Sequence, residues 1–300
     1  MRKTALKSGF LPTTDGHAVH WATYGNPAGA PLLLVHGGFD HVFDLNRLTG
    51  IDFKNNHIIV LHRRGMGLST PRGALENNDL AANVTDMERL RTHLNIPQWS
   101  IFSWSAGAVL MAAYAARHPD RCTTLTAYAP YLGSAEDYEV IKYKDSAMAQ
   151  KYFAYHNATH ACDIVRSVFN KAADPNRAVR LKTAFTAAAM WTPGLKEQDF
   201  YNAKTPAQWD DYFRQYQLGA AQDLELHTTL NRVLAQTPIT KPVTLIYGAN
   251  DIWSAPHAYA ATVFPYARII TVPQAGHDIH DQIVQKALKS QGPQDPAPRL

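Results

Sequence analysis

Ser100-Ile101-Phe102-Ser103-Trp104-Ser105-Ala106-Gly107 is the stretch on which the fold turns. Ser100 to Ser103 reads as a strand, and Ala106 to Arg117 as a helix of small residues that His118-Pro119 brings to an end. A serine at such a joint, with small residues two before and two after it, is the pattern of a nucleophile elbow, Gly-x-Ser-x-Gly, with Ser103 in the place of the first glycine. The sharp turn lifts Ser105 out of the sheet, and the small residues let the chain pass close to itself. The helix N-terminus beneath the serine favours negative charge developing there. A serine here also suits a plain helix cap, so the elbow needs partners elsewhere in the chain.

Working outward, the first half alternates apolar runs with turn clusters. His17 to Tyr24 reads as a strand closed by Gly25-Asn26-Pro27, Pro31 to His36 as a second, His57 to Leu61 as a third and Thr123 to Tyr128 as another. Runs without polar alternation suit strands covered on both faces, as in a parallel sheet. Leu80, Val84, Met87, Leu90 and Leu94 recur at spacings of three and four, which predicts an amphipathic helix. This rhythm argues for an α/β architecture, a mostly parallel sheet flanked by helices with right-handed crossovers.

The rhythm stops near Gly133. From there to Gln236 the chain is helical in pattern and rich in Ala and aromatics, with helices expected over Arg177 to Trp191 and Trp209 to Tyr216. Strands resume at Pro242 to Tyr247 and Arg268 to Val272, with a helix over Ile283 to Leu288. The expected organisation is a core of residues 1–132 and 237–300, interrupted by a helical cap, 133–236.

A serine nucleophile needs a base, and the base an orienter. On this fold both are expected after the serine, at the carboxyl ends of later strands. Asp251 follows the strand ending at Tyr247, and His277 follows the next. A lone Asp in a loop is usually a turn former, and a lone His usually structural. Three residues in the right order, each after a strand, make Ser105, Asp251 and His277 the expected catalytic triad. Asp278 and His280 are the rivals to His277, expected inside the start of the following helix; Asp137 is a weaker rival orienter. Acyl transfer also needs two N–H donors aimed at the oxyanion. Ala106 supplies one; Gly38, in His36-Gly37-Gly38-Phe39, supplies the second. Arg64-Gly65-Met66-Gly67 lacks the third Gly and the Lys of phosphate loops and is read as a tight turn.

Of 300 residues, 46% are hydrophobic and 18% charged, so a core is affordable and wholesale disorder is excluded. Net charge is +4 without a run of like charges, which argues against a nucleic-acid partner. Fourteen histidines show no metal-helix spacing, and Cys122 and Cys162 are too few for a disulfide framework or a four-ligand zinc site. No metal and no cofactor is expected. The basic N-terminus has no apolar stretch behind it, and no window is long and apolar enough to span a membrane, so a cytoplasmic protein is the expectation. The tail Gln291 to Pro298 is expected to fray.

Further motifs carry a resemblance. Asp15-Gly16-His17, Gly25-Asn26-Pro27, His36-Gly37-Gly38, Arg64-Gly65-Met66-Gly67-Leu68-Ser69-Thr70-Pro71, Glu76-Asn77-Asn78, Asp86 to Leu94, the elbow through His118-Pro119, Gly248-Ala249-Asn250-Asp251 and Gly276-His277 recur together. With these motifs the chain resembles the proline iminopeptidase branch of the α/β hydrolases. The resemblance covers most of 8–130 and 240–285. It departs from the family at Phe39-Asp40, which replaces Pro-Gly, at the elbow, which is usually Gly-Gly-Ser-Trp-Gly, and at His62-Arg63, which replaces Asp-Gln. The family holds a substrate amine with acidic cap residues, one in a Trp-Glu pair; here Trp191 is followed by Thr192.

What the resemblance implies is an α/β-hydrolase fold and a serine hydrolase acting on a small-molecule or short-peptide substrate. Phe39, Trp104, Trp191 and Glu136 are the candidate substrate-contacting residues, with Asp137 and Glu139 beside Glu136 as other sources of a carboxylate. Two specificities stand side by side: an aminopeptidase for N-terminal proline and an esterase for neutral esters. Haloalkane dehalogenases and epoxide hydrolases of this fold use Asp as nucleophile, which disfavours them here. A non-catalytic ligand receptor on the same fold is the reading from another class.

Overall fold

The continuous apolar runs become strands of one eight-stranded sheet, in the order β1-β2-β4-β3-β5-β6-β7-β8. The computed structural model describes residues 3–38, 43–74, 76–132, 196–209, 239–249, 251 and 263–290. β1 (Lys7–Pro12) and β2 (Ala18–Gly25) form an antiparallel pair, and β2 runs antiparallel to β4 (Asn56–Leu61). From β4 onward every pairing is parallel, through β3 (Ala30–Val35), β5 (Trp99–Trp104), β6 (Cys122–Tyr128), β7 (Val243–Gly248) and β8 (Arg268–Val272).

Two cores explain why these strands lack polar alternation. On one face Leu33, Val35, Ile59, Leu61, Ile101 and Leu125 pack with α1 (Leu80–His93) and α2 (Gly107–Arg117). On the other, Leu34, Ile58, Val60, Phe102 and Ile246 pack with Leu45, Leu48 and α4 (Gln282–Ser290). Successive residues of a strand point to opposite faces, so a sheet covered on both needs an apolar residue at each position. Each fully buried Leu or Ile contributes roughly 1.5–3 kcal/mol of transfer free energy. α1 starts where predicted, with Asp79 accepting the Ala82 N–H at 2.7 Å as its N-cap.

The structure differs from the sequence reading in places. β1 was not expected. Asp278 and His280 lie in the turn before α4 rather than in its first turn: Asp278 Oδ1 accepts the His280 N–H at 2.8 Å, and Asp281 Oδ1 the Ile283 N–H at 2.6 Å. Asp281 thereby caps the N-terminus of α4, which begins at Gln282, one residue before the expected Ile283.

Of the expected cap, residues 196–209 are described. They hold α3 (Glu197–Asn202) and the buried Trp209, whose ring packs on Phe200 and whose indole N–H donates to the Tyr201 carbonyl at 3.2 Å. The helix expected at 177–191, and the one at 209–216 apart from Trp209, lie outside the described residues, as do Cys162 and the tail. Among the described residues no strand falls between β6 and β7, which pair directly. No helix among the described residues is long and apolar enough to cross a membrane.

The segment after β4 is held from inside. His62 Nδ1 accepts the Leu68 N–H at 2.9 Å, and its ring lies 4.6 Å from that of His20. Burial, with smaller contributions from His20 and Arg72, pushes the His62 imidazole down to about 4. Between pH 6.5 and 4 the unfolded chain therefore binds a proton at this site that the folded chain refuses. Stability is present above 6.5 and lost as pH falls through that window, by about 3 kcal/mol in full. His62→Asn keeps a nitrogen-sized acceptor and removes the titration. Its urea midpoint is expected to fall less between pH 7 and pH 4 than that of the parent chain; equal falls would refute the assignment.

Candidate active site

The site gathers at the carboxyl ends of β3, β5, β7 and β8. Ser105 follows β5 with φ of 51°, a left-handed backbone that a non-glycine residue adopts only under constraint. Bonds at both ends of the residue impose it: the Ser105 N–H donates to Tyr128 O at 3.0 Å, and Ser105 O accepts the N–H groups of Ala108 and Tyr131 at 3.0 and 3.1 Å. Gly107 is required by close approach, since a Cβ there would lie 2.6 Å from both the Val35 and His36 carbonyls. α2 thus starts hard against the end of β3, which carries the glycine loop.

The structure brings the three sequence-predicted residues together. His277 Nε2 lies 2.8 Å from Ser105 Oγ, and His277 Nδ1 lies 2.9 Å from Asp251 Oδ2. Asp251 is 1% exposed and His277 6%. An ionised carboxylate only accepts, so Nδ1 carries the proton and Nε2 is left to accept from the Ser105 hydroxyl. It is His277, and not its rivals Asp278 or His280, that bridges Ser105 and Asp251; the backbone N–H of His280 donates to Asp278 Oδ1 at 2.8 Å.

Gly37 lies against the elbow: a Cβ on it would sit 3.4 Å from Ser105 Cβ. Its carbonyl accepts from His36 Nδ1 at 2.8 Å and from Arg63 Nη2 at 3.0 Å, while His36 Nε2 accepts the Arg63 N–H at 3.1 Å. In a trans peptide the next N–H points opposite to a carbonyl, so these bonds turn the Gly38 N–H away from Arg63. Neither the Gly38 nor the Ala106 N–H donates to an acceptor among the described residues. Sequence reasoning missed Arg63, whose buried role leaves no local pattern.

Trp104 stands differently from its expected place in the substrate pocket. It is 8% exposed, packs on Phe43, and donates its indole N–H to the His277 carbonyl at 2.9 Å. Phe39, Trp191 and Glu136, with Asp137 and Glu139, lie outside the described residues. Among the described residues no group of three or more His, Cys, Asp or Glu side chains is arranged to hold a metal.

Residues 30–282 match the alpha/beta hydrolase fold family. A probable proline iminopeptidase of Leptolyngbya boryana is 26% identical over 306 residues, covering 94% of this chain and 92% of that one. The proline iminopeptidase of Arabidopsis thaliana is 38% identical over 118 residues, which is 39% of this chain and 31% of that relative. Among solved structures, Cfl2 of Burkholderia cenocepacia superposes with a TM-score of 0.65 at 16% identity, over 96% of each chain. A hydrolase of Pseudomonas aeruginosa PA01 gives 0.64 at 17% identity, over 96% of this chain and 98% of that one. At such identities the likeness is one of fold. From its strand order and the span of the family match, the chain belongs to the α/β-hydrolase family.

Proposed function

We propose that this protein is a serine hydrolase that cleaves an ester or amide bond through an acyl-enzyme on Ser105. The observation that carries the reading is the hydrogen-bonded chain from Ser105 Oγ through His277 to Asp251, set on an elbow with a left-handed serine. Ser105 Oγ attacks the substrate carbonyl carbon as its proton passes to His277 Nε2. Asp251 holds the imidazole in the tautomer that can accept and stabilises the imidazolium that forms. The oxyanion takes the N–H groups of Gly38 and Ala106, and preorganised donors of this kind are worth about 3–4 kcal/mol each. The imidazolium returns its proton to the departing alcohol or amine. Water then attacks the acyl carbon with His277 as base, and Ser105 Oγ leaves with the proton.

The relatives named proline iminopeptidases support a substrate with an N-terminal proline. The departures at Phe39-Asp40 and at the elbow favour, as a second reading, an esterase of neutral esters. Substrate choice is assigned to residues 133–236 as a cap. The direct pairing of β6 with β7 supports that division, and a central-sheet strand drawn from 133–236 would overturn it. One experiment tests both levels. A fluorophosphonate is expected to label Ser105 and to abolish turnover of prolyl β-naphthylamide and of short p-nitrophenyl esters alike. Labelling of any other residue would sink the mechanism. A preference for the free-amine prolyl amide, lost on acetylation, selects the aminopeptidase; indifference to acetylation selects the esterase.

A further inference from the structure

We propose that Trp104 and Tyr128 are positioning residues that together set the place of His277 relative to Ser105; this rests on the reading of Ser105 and His277 as nucleophile and base. The histidine stands on irregular chain. After β8 the backbone passes through a turn at Pro273-Gln274, with Gln274 at φ of 60°, and enters no regular element until α4. Neither sheet nor helix bonding holds the carbonyls of Gly276 and His277, yet both are buried and need donors.

Two aromatic side chains supply them. Tyr128 OH donates to the Gly276 carbonyl at 2.6 Å, and Trp104 Nε1–H donates to the His277 carbonyl at 2.9 Å. Trp104 and Tyr128 are the last residues of the adjacent strands β5 and β6 and are register partners, so their side chains leave the same face of the sheet side by side. Both are buried, and both belong to the core on the α4 side. Burial, first of all, raises the Tyr128 phenol above its ordinary value, which keeps its O–H a donor.

The same two residues also fix the serine. Trp104 precedes it in the chain, and the Tyr128 carbonyl accepts the Ser105 N–H at 3.0 Å. Nucleophile and base, 172 positions apart, are therefore tied through two short paths. One runs from Ser105 along the backbone to Trp104 and across its indole to His277. The other runs from the Ser105 N–H to Tyr128 and across its phenol to Gly276. A shift of about 1 Å in such a site costs roughly a hundredfold in rate. A pair of side chains that only satisfied buried carbonyls would stabilise the fold without this effect.

Tyr128→Phe removes one oxygen and keeps the ring; Trp104→Phe removes the indole N–H. With p-nitrophenyl acetate, each variant is expected to lose at least tenfold in kcat while KM stays within about twofold, and each is expected to react with fluorophosphonate at least tenfold more slowly. The losses are expected to be less than multiplicative in the double variant, because both bonds hold one loop. Near-UV circular dichroism at the assay temperature confirms that the variants are folded; should Trp104→Phe fail to fold, Tyr128→Phe decides. Less than a tenfold loss in folded Tyr128→Phe overturns the proposal. If the parent chain is not labelled at Ser105, the underlying mechanism fails and the positioning role with it. A parent labelled at Ser105 beside an equally reactive Tyr128→Phe removes the positioning role alone.

Discussion

Ser105→Ala is expected to lower kcat by about four to six orders of magnitude on whatever ester or amide the protein turns over. The alanine keeps the backbone and loses only Oγ, the atom 2.8 Å from His277 Nε2. Thermal stability should stay close to that of the parent, since one exposed-side hydroxyl is removed and its partner can bond to water. His277→Ala should cost about as much as Ser105→Ala, and the double variant little more, because base and nucleophile act in one step. Asp251→Asn should cost about 10⁴, through loss of the accepting tautomer. The measurement is single-turnover and steady-state kinetics on a p-nitrophenyl ester against a background without protein. Retention of a tenth of the parent rate in Ser105→Ala would remove the serine from the mechanism.

The second large effect lies away from the chemistry. Arg64 and Asp86, each 2% exposed at the side chain, form a two-point pair: Arg64 Nε reaches Asp86 Oδ2 at 2.5 Å and Nη2 reaches Oδ1 at 3.0 Å. Arg64 Nη1 also donates to Asp15 Oδ2 at 2.6 Å and to the Asn77 carbonyl at 2.5 Å. The guanidinium thereby joins the β1–β2 turn, the loop after β4 and α1. Asp86→Ala leaves that cation buried with half of its acceptors gone, and is expected to cost about 3–5 kcal/mol, a large share of an ordinary domain's stability. Replacing the pair by apolar residues, Arg64→Met with Asp86→Leu, removes the stranded charge and should recover much of the loss. Urea midpoints of the single and double variants test this; a double variant no more stable than Asp86→Ala would refute it.

These two cases also mark what the sequence could and could not disclose. The strands of the sheet's interior were legible because each is apolar at nearly every position, as Leu32 to Val35 and Ile58 to Leu61 are. β1 was not, because Lys7-Ser8-Gly9-Phe10-Leu11-Pro12 lies at the sheet edge with only Leu11 buried, so it carries neither alternation nor an apolar run. Ser105, Asp251 and His277 could be picked out because each follows a strand whose apolar run fixes its end. Arg64 reads as a turn residue until the fold sets Asp86 against it. The bond from Trp104 to the His277 carbonyl spans 173 positions and involves main chain at one end, so residue types alone give no hint of it. The start of α4 turns on Asp281, whose carboxylate accepts the Ile283 N–H as an N-cap, a local bond that apolar periodicity does not register.

The direct pairing of β6 with β7 joins Leu125 to Val243, neighbours across the sheet but far apart along the chain. On a ribosome the first half of the sheet, with the strained serine and the glycine loop, emerges well before the strands that lead to Asp251 and His277. Loop closure over so long a connection costs only a little more than over one half its length, about 0.6 kcal/mol per doubling. The delay is therefore kinetic, and contacts of such long range form slowly. On the proposed mechanism, a chain ending before β7 would present Ser105 with no base beside it and is expected to be inert toward acyl groups. On that mechanism, hydrolytic competence would arrive last, as a report that the two halves of the sheet have met.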